Sequence, residues 1–125
     1  MACKVKSWPI ASQFTAFDFG IIAGADAYLL RFILHDWSDT EAAAILASLR
    51  RAMKPRARLI VVEYVIPEGP AFHFGKWTDL QMLVCVGGRE RTEAEYRALF
   101  SGAGFDLQEV VTTPSPLSLL VGKPV

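Results

Sequence analysis

The stretch from Asp26 to Tyr64 reads as strand, helix, strand, and that order narrows the possible folds more than anything else in the chain. Leu29 to Leu34 is an apolar run interrupted by one charge, Arg31. It is short for a helix and right for a strand buried on both faces, so a first strand is expected from Asp26 to Leu34. The run stops at His35-Asp36-Trp37, and Ser38-Asp39-Thr40-Glu41 follows as a capping box, with serine at the N-cap and glutamate three residues on. Ala42, Ile45, Leu46, Leu49 and Met53 then recur at helical spacing as one apolar stripe. Lys54-Pro55 ends that helix, and Arg58 to Tyr64 reads as a second buried parallel strand. A βαβ unit of this kind belongs to an α/β fold with a mostly parallel sheet.

In open α/β sheets ligands bind beyond the carboxyl ends of the strands, which makes His35 the first candidate for a general base. Glu63 sits at the corresponding end of the next strand, so the unit brings the two together. A structural reading stands beside this one: a lone histidine at a strand end also serves as a hydrogen-bonded core residue, and Glu63 as a solvated strand terminus. Asp36 is expected to accept backbone hydrogen bonds in the turn. His73, in a loop rich in Gly and Pro, is expected to be exposed.

The segment Leu34-His35-Asp36-Trp37-Ser38-Asp39 resembles the catalytic-histidine segment of S-adenosylmethionine-dependent O-methyltransferases, the family of plant phenolic, hydroxyindole and bacterial polyketide-tailoring enzymes. Val61-Val62-Glu63 with Pro67-Glu68-Gly69, and Gly87-Gly88-Arg89-Glu90-Arg91-Thr92, match the same family in the same order. The likeness runs from about Phe17 to Lys123 and corresponds to the C-terminal third of the family's longer chains. It implies the C-terminal part of a class I methyltransferase Rossmann-like sheet with an antiparallel closing strand. It also implies His35 as base, Glu63 and Glu90 as its flanking carboxylates, and a small hydroxylated aromatic acceptor. For the donor, S-adenosylmethionine, it implies Asp18 at the adenine amino group, Phe19 packed on the base, and Arg31 and Trp37 nearby. Phe17 stands where the family has glycine, and Arg31 where it has lysine. The full-length family form implies a homodimer. The glycine-rich turn after a first strand, and the acidic residue after a second that would hold the ribose, find no match here. A non-catalytic interaction module built on the same fold is the rival reading.

Composition limits the partners. Thirteen basic and thirteen acidic residues cancel, without a polybasic cluster, which argues against nucleic acid and anionic membranes. Cys3 and Cys85 fit neither a disulfide framework nor metal-ligand spacing, and with His35 and His73 far apart no metal is expected; a reducing, cytoplasmic setting suits such a chain. The first residues hold no signal-peptide pattern, and no run approaches the roughly eighteen apolar residues of a membrane span.

Residues 1–16 show no period and form a separate segment ahead of the 17–125 domain. Phe74 to Val86 is expected to be a helix with apolar residues on more than one face, a pattern that reads as core, while the family resemblance implies that it also walls the substrate cavity. Thr92-Glu93-Ala94-Glu95 is a second capping box, opening a helix that stops at Gly102-Ala103-Gly104. Phe105 to Thr112 and Leu117 to Val121, joined at Pro114-Ser115-Pro116, read as a closing hairpin with one antiparallel member. The strand before His35 is expected to leave an open apolar edge and to promote self-association of the chain.

Overall fold

The computed structural model describes Ile21 and residues 23–125, and the positions of Asp18 and Phe19 lie outside those residues. In chain order the elements are β1 (Ala27–Arg31), a 3-10 turn (Leu34–Asp36), α1 (Asp39–Ala52), β2 (Arg58–Ile66), α2 (Phe74–Cys85), β3 (Arg91–Thr92), α3 (Glu93–Gly102), β4 (Phe105–Thr112) and β5 (Leu117–Pro124). The fold is α/β, with the sheet ordered β1-β2-β5-β4 and the short β3 paired to the far end of β2. β1 runs parallel to β2, from Ala27 opposite Arg58 to Arg31 opposite Val62. β5 is antiparallel to both β2 and β4, so it is the one reversed strand and lies between them. No helix among the described residues is long and apolar enough to cross a membrane.

Both capping boxes form, at Ser38 with Glu41 and at Thr92 with Glu95. Helix α1 buries Ala42, Ile45, Leu46 and Leu49, and α3 buries Tyr96, Leu99 and Phe100. These join Leu59 and Val61 of β2, Phe105 and Leu107 of β4 and Leu120 of β5 in one core. Each fully buried aliphatic side chain contributes about 1.5–3 kcal/mol. Along β2, alternate positions Leu59, Val61 and Glu63 all face inward and are fully buried. Glu63 therefore occupies a core position, not the solvated strand end, and Ser118 of β5 pairs with it across the ladder.

Three expectations need correction. The first strand ends at Arg31, not Leu34, because Phe32 adopts φ 52°, a left-handed conformation that a bulky residue rarely takes. Helix α2 is not plain core: Trp77, Leu80, Leu83 and Val84 are exposed, and its buried residues are Gly75 and Thr78. His73 is half-buried and caps α2, its Nδ1 accepting from the Gly75 amide at 3.0 Å. Among the described residues β1 is an edge strand, with Leu29 half exposed on it.

Candidate active site

The turn that leaves β1 carries the site. Leu34 and His35 are buried in it, and the left-handed Phe32 lays its ring on the imidazole, centroids 5.3 Å apart and planes 24° apart. Phe32 in turn meets Tyr64, and Tyr64 meets Phe74 at the start of α2.

Three sequence-predicted residues come together here. His35 Nδ1 lies 2.9 Å from Glu90 Oε1 and 3.7 Å from Glu63 Oε2, and Nε2 lies 3.4 Å from Asp36 Oδ1. Glu63 Oε1 accepts the Ile33 and Leu34 amides at 3.0 and 2.9 Å, so one carboxylate both orients the turn and faces the ring. Asp36 thus points at the histidine, where the sequence suggests a carboxylate tied to the turn backbone. Glu90 is fixed by α2: Thr78 Oγ1 lies 3.0 Å from its Oε1, and Asp79 Oδ1 accepts its backbone amide at 2.8 Å.

Charge follows from burial and proximity. Burial opposes the imidazolium, but the hydrogen bond to Glu90 and the charges of Glu63, Glu90 and Asp36 outweigh it, and His35 titrates above the ordinary imidazole value. Burial pushes the Glu63 carboxyl up to about 7, against the pull of His35 and of the two amides, with Glu90 adding to the rise. Asp36 is raised as well, mainly by burial, with His35 opposing. Glu63 Oε2 and Glu90 Oε2 are buried without a hydrogen-bond partner among the described residues. The ligand-capable atoms of His35, Glu63 and Glu90 lie within 4.8 Å of one another. The 2.9 Å contact has the length of a charge-assisted hydrogen bond, while Glu63 stands beyond hydrogen-bond distance of the ring at 3.7 Å.

The donor-side residues do not converge in the same way. Arg31 is exposed and sits over the Phe32 ring at 5.1 Å, while Trp37 is half-buried against the core. Among the described residues, the strand-to-helix turn after β1 contains no glycine. It lacks the close-approach backbone that binds nucleotide-like ligands.

Sequence reasoning missed several residues that build the turn. Arg91 is fully buried and donates to the Leu34 and Trp37 carbonyls. Gly88 is required by contact: a Cβ there would lie 2.0 Å from the His35 carbonyl oxygen. Both belong to the Gly87 to Thr92 stretch, and a buried-arginine role could have been suspected from that stretch alone. Nothing in the sequence marks the left-handed Phe32.

Residues 10–106 match the O-methyltransferase domain family. The chain belongs to that family. It is 46% identical over 103 residues to the phenazine O-methyltransferase PhzM of Lysobacter antibioticus, covering 82% of this chain and 30% of that protein. It is 47% identical over 107 residues to the O-demethylpuromycin-O-methyltransferase of Streptomyces alboniger, covering 82% of this chain and 28% of that one. Among solved structures, the neocarzinostatin O-methyltransferase NcsB1, in complex with S-adenosylmethionine and 2-hydroxy-5-methyl naphthoic acid, superposes with TM-score 0.77 at 32% identity. That match covers 90% of this chain and 32% of NcsB1. The chain therefore spans about 30% of the length of these relatives.

Proposed function

We propose that this chain supplies the base side of an S-adenosylmethionine-dependent O-methyl transfer to the hydroxyl of a small aromatic acceptor, with His35 as general base. The observation that carries the reading is the 2.9 Å contact of Nδ1 with Glu90. A proton held there leaves the Nε2 lone pair free to take the acceptor's hydroxyl proton. A phenol near pH 10 and an ordinary imidazole near 6.5 leave that transfer uphill by about 5 kcal/mol. Each pH unit by which the carboxylates raise His35 removes about 1.4 kcal/mol of it. Glu63 and Glu90 stabilise the imidazolium that forms, and Glu63 also holds the turn through two amides. Phe32 stacks on one face of the ring.

The donor, when bound, supplies an electrophilic methyl group on a cationic sulfur. Its contacts would come largely from outside the described residues, where Asp18 and Phe19 are the candidates, with Arg31 and Trp37 at the edge. In the full-length family form the working assembly would be a cytoplasmic homodimer.

The test is a chimera in which this chain replaces the matching segment of the Lysobacter phenazine enzyme. There His35→Ala is expected to lower turnover by at least about 10²-fold with donor affinity unchanged. Full activity of that variant, or an equal loss of donor binding, would remove His35 from the chemistry.

A further inference from the structure

The 3-10 turn that carries His35 is weakly bonded to itself and strongly bonded to its neighbours. Its internal hydrogen bonds, Asp36 amide to Ile33 carbonyl and Trp37 amide to Leu34 carbonyl, are both long at 3.3 Å. From one side Glu63 takes the Ile33 and Leu34 amides. From the other, the Arg91 guanidinium donates from Nη1 to the Leu34 carbonyl and from Nη2 to the Trp37 carbonyl, each at 2.9 Å. The Arg89 amide donates to the His35 carbonyl at 2.9 Å. A carboxylate on the amides and a guanidinium on the carbonyls thus grip the turn along its dipole.

Arg91 is an expensive residue for this place. It is fully buried, and its one ionic partner among the described residues, Asp39 at 2.8 Å from Nε, is more than half exposed. Burying a charge costs several kcal/mol, and an apolar side chain of similar volume would fill the space without that cost. What an apolar residue or a lysine cannot do is reach two carbonyls three residues apart with one rigid fork.

We propose that Arg91 is a positioning residue for His35: its fork fixes both ends of the turn so that Nδ1 meets Glu90 and Glu63. The idea deepens the base reading and gains its functional meaning from it. The groups facing the imidazole are Glu90, Glu63 and Asp36, so any rotation of the turn changes all three distances together.

The test uses the 125-residue chain with isotope-labelled histidine. Its two histidines provide one reporter in the turn and one internal control, since His73 is held by the start of α2. In Arg91→Lys the titration midpoint of His35 is expected to fall by about one pH unit. Exchange of the Ile33 and Leu34 amides is expected to quicken at least about tenfold. His73 should not change, and Arg91→Leu should show the larger effect of the two. Folded variants with His35 and both amides unchanged would overturn the proposal. Equal changes at His73 would overturn it too, because they mark a general loss of packing. If both variants fail to fold, Asp39→Asn decides the matter. It removes the exposed anchor of the guanidinium and should move His35 in the same direction by less, and an unmoved His35 there would overturn the proposal. None of these readouts requires methyl transfer. Failure of the base reading would appear as an active His35→Ala chimera, with the hold of Arg91 on the turn unaffected.

Discussion

Helices α1 and α2 are both rich in apolar residues, yet they use them in opposite ways. α1 turns Ala42, Ile45, Leu46 and Leu49 into the core and leaves its charges outside. α2 leaves Trp77, Leu80, Leu83 and Val84 outside and sends small or polar residues inward: Gly75, Thr78 and Asp79, the last two to Glu90. An amphipathic stripe specifies its own orientation, whereas a helix that is apolar on several faces is oriented by what its few polar residues must reach. Here α2 is placed by the site, and α1 by the core.

That contrast can be broken or sharpened by substitution. The largest effect is expected in α1, where Leu46→Ala removes a fully buried side chain and should cost about 2–5 kcal/mol in chemical denaturation.

A middle-sized effect belongs to the site itself. Burial pushes the Glu63 carboxyl up to about 7 in the folded state, while the unfolded carboxyl releases its proton near its ordinary value of 4.5. The folded state therefore binds more protons in that interval, and stability is lost as pH rises through it, by roughly 3 kcal/mol at most from this group. His35, also raised, adds a loss of the same sign as pH passes its folded value. Denaturation midpoints should fall from pH 5 to pH 8, and Glu63→Gln should flatten the slope. If Glu63→Gln leaves the slope unchanged, Glu63 is ionised throughout that range in the folded state as well.

The smallest effect is expected on the outer face of α2, where Leu83→Ala, at a residue 66% exposed, should change stability by less than about 0.5 kcal/mol. A cost comparable to that of Leu46→Ala would show that this face is covered in solution.

The same two helices show how far the sequence could be read. Spacing and capping boxes placed α1, α3 and the βαβ unit, because period and cap chemistry are local. The βαβ order puts Glu63 beside His35 and family likeness adds Glu90, but their burial is not visible in the sequence: charged residues are seldom buried, and only the ladder from Leu59 through Val61 shows that Glu63 continues the inward row. The inverted use of α2 was hidden because it depends on Glu90, twelve residues beyond Thr78. Phe32 escaped notice for a different reason, since a left-handed bulky residue is a strain imposed by the tertiary structure and has no local signature.

The central claim is that His35 Nδ1 holds a proton against Glu90 while Nε2, 3.4 Å from Asp36 Oδ1, stays unprotonated. Long-range nitrogen–proton correlation on the labelled imidazole reports this directly, in the intact chain and above its titration midpoint. A proton on Nδ1, a bare Nε2 and a midpoint above 6.5 are expected. A proton on Nε2, or a midpoint below that value, would contradict the account and return His35 to the role of a structural core residue.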